Sequence, residues 1–318
     1  MGTITFRTEV SKDDWQAQFA LWQRATNTLS RCWPSSLRNA RSLHQSALKT
    51  PGSRIYAELD GKLVGYIGWH PPFAWEGLGT AVPFGYPWTD PHDNDLAAEL
   101  YARMIPQLVE STREDPPDVL IQRFRSSWPA QRAFMRDRGW TDAWRQQIWS
   151  IDTAGVPTGL IGDAPVEAVD AYLIAARLDP YIKNPPTRDE LTQQYRNGWI
   201  DMSMLRVVRE EDTIEHTEME RRESLGVASP IVGAFNCAVN GLWAEGQLFA
   251  CDAKHAKIVH ATAQRCARLH GATEYGFVMG RDDEERIRRL HALGYDLRDA
   301  DVYMTCRLDD AVEALKNL

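Results

Sequence analysis

The sequence predicts an α/β chain made of two successive copies of one unit, each a mostly antiparallel mixed sheet with helices on both faces. Three observations predict it. Residues 130–152 (AQRAFMRDRGWTDAWRQQIWSID) and 284–309 (EERIRRLHALGYDLRDADVYMTCRLD) share one plan: a short amphipathic helix, a Gly-aromatic stop at Gly139-Trp140 and Gly294-Tyr295, then an alternating strand that ends in Asp. They lie about 155 residues apart, too long a period for a solenoid and the length of a duplicated domain. The same order of strands and helices runs through both halves. Finally, residues 153–166 (TAGVPTGLIGDAPV) are rich in Gly and Pro and lack charge periodicity, which marks a linker. The copies are therefore placed at 1–152 and 167–318, and 318 residues suffice for two cores.

In the first half, residues 4–10 alternate as a strand does, and Ser11-Lys12-Asp13-Asp14 resembles a capping box opening a helix over 15–25. A second helical stretch covers 36–49. Segments 54–59 and 63–69 alternate around Asp60-Gly61, a type I′ hairpin signal. A strand near 79–86 follows Pro71-Pro72. Apolar residues at 96, 100, 104 and 108 set one face of a helix over 96–111, which Pro106 interrupts. Segment 119–124 reads as a buried strand.

The second half repeats this order. A helix over 166–178 precedes the Thr187-Arg188-Asp189-Glu190 capping box of a helix over 190–197. Strand 204–209 leads into a charged stretch, 210–225, expected as a mobile loop or extended hairpin. Strands 231–239 and 242–251 meet at Asn240-Gly241, a second I′ signal. Helix 256–269, apolar at 258, 259, 266 and 269 with Thr262 on the same face, leads to strand 274–279, and the second tail closes the chain.

Composition excludes several classes. Hydrophobic content of 43% and charged content of 25% are those of a soluble globular protein. A net charge of −8 argues against a nucleic-acid groove, because backbone phosphates need a basic face. No apolar run approaches the ~18 residues that span a bilayer, and the N-terminus is no signal peptide. Five scattered cysteines without a CxxC suit free thiols in a reducing cytosol, hence a cytoplasmic expectation. The pairs Cys251/His255 and Cys266/His270 have i,i+4 spacing, but zinc needs more converging ligands, so no metal is expected.

The order β-α-α-β-β-β-α-β-α-β, ending in helix, Gly-aromatic and strand, resembles the GNAT superfamily of acyltransferases. Residues 131–140 and 287–295 lie on that family's tail pattern, small-x-x-aromatic-x-x-x-Gly-aromatic, and share its closing Gly-aromatic pair. The Asp60-Gly61-Lys62-Leu63-Val64-Gly65 and Pro230-Ile231-Val232-Gly233 segments look like its β2–β3 region. The resemblance covers nearly the whole chain, twice, and tandem members of this size exist, mycothiol synthase among them. It implies acetyl-CoA or another acyl-CoA as co-substrate. The pantetheine arm would pair with backbone where the central strand splays from its neighbour, here at Phe249, Ala250 and Cys251. The pyrophosphate would meet the N-terminus of the next helix, where free N–H groups and the dipole favour anions.

This sequence departs from the family where phosphates bind. The usual loop is Arg/Gln-x-x-Gly-x-Gly/Ala; here the first copy has Trp88-Thr89-Asp90-Pro91-His92-Asp93-Asn94-Asp95 and the second has Asp252-Ala253-Lys254-His255-Ala256-Lys257. Neither holds a glycine. The aspartates of the first repel a pyrophosphate, or else Asp93 or Asn94 caps the helix. Lys254 and Lys257 of the second can neutralise phosphates. The family's Tyr acid is replaced by Met135 and Leu290, and the Asn that often begins the last helix is Trp128 in one copy and Asp283 in the other.

Acyl transfer to an amine needs a base for the ammonium proton and a donor for the leaving thiolate. Period-two alternation puts Trp243, Glu245, Gln247 and Phe249 on one face, and Glu245 is the first choice as base. An exposed strand carboxylate or a salt bridge is the competing role. Asp252 and His255 end that strand as possible proton relays, although Asp252 also suits a cap. Cys251 is an acyl acceptor in principle or a buried structural thiol. His70 and Trp75 lie in an aromatic turn and, with Trp243 and Gln247, are candidates for a substrate groove; a packed loop is the alternative for His70. The leading expectation is an acyl-CoA-dependent N-acyltransferase acting on a small amine, with the second copy active and a homodimer possible. The alternatives are a CoA-independent enzyme of the same fold (aminoacyl-tRNA-dependent transfer, nucleobase modification or decarboxylation) and a decayed binding module.

Overall fold

The computed structural model describes residues 2–35, 37–75, 77–156, 159, 161–196, 200–210, 229–280 and 283–316. In chain order the first part carries β1 (Ile4–Arg7), α1 (Asp14–Thr26), α2 (Leu37–Leu48), β2 (Arg54–Leu59), β3 (Lys62–Gly68), β4 (Phe73–Trp75), β5 (Gly79–Pro83), β6 (Trp88–Thr89), α3 (Asn94–Ser111), β7 (Val119–Arg125), α4 (Pro129–Arg136) and β8 (Thr141–Asp152). The second part carries α5 (Ala168–Leu178), α6 (Arg188–Arg196), β9 (Leu205–Arg209), β10 (Ile231–Asn236), β11 (Ala238–Asn240), β12 (Trp243–Glu245), β13 (Phe249–Cys251), α7 (Ala256–Leu269), β14 (Glu274–Met279), α8 (Glu284–Ala292), β15 (Asp296–Cys306) and α9 (Leu308–Leu315).

Two compact units form, and their ends are exchanged. Unit 1 comprises Met1–Ser30, Ala40–Arg145 and Ala300–Leu318; unit 2 comprises Arg31–Asn39 and Gln146–Asp299. In unit 2, the far end of β8 pairs antiparallel with β14, from Glu274↔Asp152 to Met279↔Gln147. In unit 1, the far end of β15 pairs antiparallel with β7, from Asp301↔Arg125 to Cys306↔Leu120. Each unit thus borrows half of its last strand from the other copy, and the segment expected as a linker lies within unit 2.

Each unit holds one split strand. In unit 1, β1, β2, β3 and β6 form one antiparallel sheet. β5 runs parallel to β7 instead, and the chain crosses from one partner to the other between Phe84 and Trp88. In unit 2, β12 runs parallel to β14, while β13 pairs with β10, which pairs with β9. The strand expected over 242–251 is therefore two short strands separated by a bend at 246–248. A side chain on Gly246 would be impossible here: its Cβ would stand 2.5 Å from the Phe277 ring, while its N–H donates to the Gly276 carbonyl at 2.9 Å. Gly85 marks the crossing in unit 1, where a Cβ would lie 2.7 Å from the Gly68 carbonyl oxygen.

Both tails end their helices in the same way. Gly139 and Gly294 have φ of 84° and 88°, the left-handed conformation that glycine adopts without steric cost. The next N–H reaches back five residues, from Trp140 to the Met135 carbonyl at 3.2 Å and from Tyr295 to that of Leu290 at 3.0 Å. The two aromatic rings are buried and find partners on the long helices: Trp140 Nε1 donates to Tyr101 Oη at 2.9 Å, and Tyr295 Oη lies 3.1 Å from His260 Nδ1.

Other expectations need adjusting. The Asp60-Gly61 hairpin has two positive φ angles, 51° and 75°, as a I′ turn requires. The second hairpin pairs Asn240 with Trp243, so Gly241-Leu242 is the central pair, with φ of 58° at Gly241, a II′ arrangement. In α3 the expected stripe Leu96, Leu100, Met104 and Leu108 is buried, and Pro106 lies inside the helix. In α7 the buried stripe is Ala256, Val259, Ala263, Cys266 and Ala267, whereas Leu269 is 65% exposed. The short strand β4 and the closing helix α9 were not foreseen. The charged stretch 210–225 lies, apart from Glu210, outside the described residues.

Candidate functional site

The splayed end of the split strand and the start of the next helix define a candidate site in each unit. In unit 1 the wedge between β6 and β7 is closed by rings. Tyr86 stands 4.8 Å from Trp88, 5.3 Å from Phe134 and 5.9 Å from Phe124, edge to face. The start of α3 is closed too. Asp93 Oδ1 accepts the N–H groups of Asp95 and Leu96, each at 3.0 Å, so the helix brings its own anion. Asp90 is held by an ion pair with Arg24. The Asp95 and Leu96 N–H groups are thus already taken at this helix terminus.

Unit 2 differs at the same place. Asp252 Oδ1 accepts from the Lys254 N–H at 3.0 Å in the short 3-10 turn Ala253–His255, and its Oδ2 lies 3.2 Å from His255 Nδ1. α7 then starts with no side-chain cap. Beside it lies an open groove of about 450 Å³ lined by Lys254, His255, Lys257, Ile258, Ala261 and Arg265, with Glu210 at one side. Lys254 and Lys257 are exposed. Three cations and an uncapped helix terminus are the donor set that phosphate groups need.

The interior of this wedge is filled. Phe249 and His260 stack at 4.2 Å, with Phe277 edge-on to both at 5.2 and 5.8 Å. Burial, reinforced by Arg289 and Arg286, lowers the His260 pKa to about 3, so its ring is neutral. The Cys251 N–H donates to Asp179 Oδ2 at 3.0 Å. Arg289 Nη1 lies 3.7 Å from the same carboxylate, and Arg289 Nη2 donates to Cys251 Sγ at 2.8 Å. The remaining cavity of about 20 Å³ holds one water at most. An acyl-CoA thus fits this chain at its phosphate end, and its pantetheine arm fits only once Asp179 gives up the Cys251 N–H. Burial pushes the Cys251 thiol up to about 12, against Arg289, so it is no ready nucleophile.

The other sequence candidates are distributed as follows. Glu245 ends β12 and is buried, with Trp243 Nε1 donating to its Oε2 at 3.4 Å; it is not an exposed strand carboxylate. Gln247 lies in the bend, where its Oε1 accepts from Asn236 Nδ2 at 3.3 Å, so the shared face of 243, 245, 247 and 249 does not survive the break. Ala250 is buried at the centre of β13. Asp283 Oδ2 accepts the Gly280 N–H at 3.1 Å and begins α8 without capping it. His70 stands 3.4 Å from Arg54 Nη2, and burial, then Arg54, lowers its pKa to about 3. Trp75 packs against Trp144 at 5.2 Å. His70 and Trp75 belong to unit 1, Trp243 and Gln247 to unit 2. Among the described residues no three His, Cys, Asp or Glu side chains converge as metal ligands, and no helix is long and apolar enough to cross a membrane. Asp179, Arg286 and Arg289 were missed from the sequence.

No protein-family model matches this chain, and no curated protein does. Solved structures do. A GCN5-related N-acetyltransferase from Sphaerobacter thermophilus aligns over 96% of each chain at 13% identity, with a TM-score of 0.48. A tandem GNAT protein from the clavulanic acid biosynthesis pathway aligns over 96% of this chain and 99% of its own, at 15% identity and a TM-score of 0.54. Agreement over 96% of the chain at 15% identity is agreement of architecture, and it makes this chain a tandem GNAT-fold protein.

Proposed function

We propose that the second copy is an acyltransferase that moves an acyl group from an acyl-CoA thioester to a small amine. The observation that carries this reading is the groove at the uncapped start of α7, with Lys254, Lys257 and Arg265 around it. In it Lys254 and Lys257 hold phosphates, and the backbone of Phe249, Ala250 and Cys251 pairs with the pantetheine arm after Asp179 withdraws. Glu245 accepts the ammonium proton as the amine nitrogen bonds to the acyl carbon and the C–S bond breaks. The nitrogen's second proton passes through His255, held by Asp252, to the sulfur, which leaves as the CoA thiol. The wedge is filled with apolar side chains, which keeps water from competing for the acyl group. Acetyl-CoA titrated into the full chain by calorimetry should bind saturably, and the pair Lys254→Glu/Lys257→Glu should lose at least tenfold in affinity. Absence of binding by any acyl-CoA at millimolar concentration overturns the proposal.

One observation favours a second reading. Among the described residues, the Asp179 contact and the ring packing leave only about 20 Å³ beside β13, as a decayed binding module or a CoA-independent enzyme of this fold would show. A gel shift with tRNA and with duplex DNA at two salt concentrations tests the nucleic-acid versions.

A further inference from the structure

The wedge of unit 2 carries more positive charge than its own residues neutralise. Its small cavity is lined by Asp179, Arg286 and Arg289 together with apolar side chains, Phe249 and Phe277 among them, and the neutral His260. Arg289 shares the one carboxylate, Asp179, and lies over the Tyr181 ring at 4.7 Å. Arg286 is half-buried and makes no hydrogen bond or ion pair among the described residues. Two guanidinium groups and one carboxylate line this cavity, so its lining carries one unmatched positive charge in a half-buried place, where an uncompensated charge costs more than at the surface. The carboxylate present is itself held as a ligand would be. Asp179 follows the last residue of α5, and its two oxygens take the N–H of Cys251 at 3.0 Å and of Tyr181 at 2.9 Å. It reaches 72 residues along the chain to fill a strand N–H that would otherwise be unpaired.

We infer that this wedge binds a carboxylate-bearing ligand in the place Asp179 now fills, with the carboxylate on the Cys251 N–H, Arg289 and Arg286 and the ligand body outside the packed rings of Phe249 and Phe277. Asp179 is then an internal stand-in that the ligand displaces. This goes beyond the acyltransferase reading: the pantetheine arm proposed there takes the same Cys251 N–H, so a carboxylate ligand and an acyl-CoA exclude each other at that group, and the carboxylate contacts do not involve the phosphate groove.

Benzoate and its neutral isostere benzamide are suitable probes for calorimetry on the full chain. Removing the stand-in, Asp179→Ala, should tighten benzoate binding at least tenfold over the unaltered protein and leave benzamide weak. Adding Arg286→Gln to that variant should reverse most of the gain. Equal binding of benzoate and benzamide, or a natively melting Asp179→Ala protein that binds benzoate no better, overturns the inference. If Asp179→Ala does not fold, Arg286→Gln alone decides: the single change should weaken benzoate binding several-fold, and no change overturns it. The acetyl-CoA titration of Lys254→Glu/Lys257→Glu fails or succeeds separately, so the carboxylate site and the acyl-transfer reading fall independently.

Discussion

The helix after the split strand begins differently in the two copies. In unit 1, α3 starts on Asp93, whose carboxylate already occupies the N–H groups of the first turn. In unit 2, α7 starts uncapped, with lysines beside it. The copies also differ one step earlier. Pro83 pairs with Ile121 on β7, and Glu245 pairs with Gly276 on β14; the residue after each donates its N–H to the partner's carbonyl, so Pro83 and Glu245 hold the same register position. Only unit 2 has a carboxylate there. One fold thus supplies two helix termini, and local residues decide which one carries its own capping carboxylate: the first turn of α3 does, and that of α7 does not.

The sharpest test of this asymmetry is Glu245→Gln. Thiol release from acetyl-CoA with a panel of primary amines should fall roughly 10²–10⁴-fold, the range for losing a general base. Melting should stay close to that of the unaltered chain, since the amide keeps an acceptor for Trp243 Nε1. Turnover that survives the change would remove the distinction between Pro83 and Glu245.

A second test concerns what the copies share. Each contains one histidine whose pKa burial lowers to about 3, His70 in unit 1 and His260 in unit 2. The unfolded chain takes up these protons near the ordinary value of 6.5, while the folded chain does so only near 3. The unfolded state therefore binds more protons throughout that window, and stability falls as pH drops from 6.5 towards 3, by about 1.4 kcal/mol per pH unit for each histidine. His70→Gln and His260→Gln should each flatten the acid limb of a melting-temperature profile by a similar amount. A change in one slope only would show that the two cores do not tolerate acid alike.

Removing the cap measures the cost of the difference directly. Asp93→Ala should destabilise by about 1 kcal/mol, as lost N-caps do, read from the denaturant midpoint. Asp252→Ala should cost less, because Asp252 holds a single N–H of a three-residue 3-10 turn. Equal losses would mean that α7 depends on its carboxylate as α3 does.

What the sequence disclosed follows from range. The Asp60-Gly61 turn and the two Gly-aromatic stops are set by residues within one turn of each other, and they fold as their composition requires. The break at 246–248 depends on which strand lies beside each piece, and alternation along 242–251 carries no record of that. The exchange of strand ends is hidden for a related reason: β8 and β15 each read as one continuous strand, with nothing at the point where each passes from one unit to the other to mark the crossing. Asp179 shows the limit for the site. Locally it is an acid at a helix C-terminus, where the dipole disfavours negative charge. That is the only sign that its carboxylate is held by something distant, namely the Cys251 N–H. Arg286 and Arg289 read simply as the polar side of an amphipathic helix.

The smallest effect separates the two hairpins. Asp60-Gly61 has both residues at positive φ, which Asp and Gly tolerate. The Gly241-Leu242 turn needs positive φ only at Gly241, and it leaves Leu242 67% exposed at its tip. The Leu242 carbonyl accepts the Thr273 N–H at 2.9 Å, a backbone bond that any side chain preserves. Leu242→Asn therefore keeps the turn and removes an exposed apolar side chain, so the denaturant midpoint should shift by no more than about 0.5 kcal/mol. Gly241→Ala, by contrast, puts a Cβ on a residue at φ 58°, which costs about 1–2 kcal/mol. If Leu242→Asn proved as costly as Gly241→Ala, the turn would have to be reassigned to Asn240-Gly241, and the two hairpins would be alike after all.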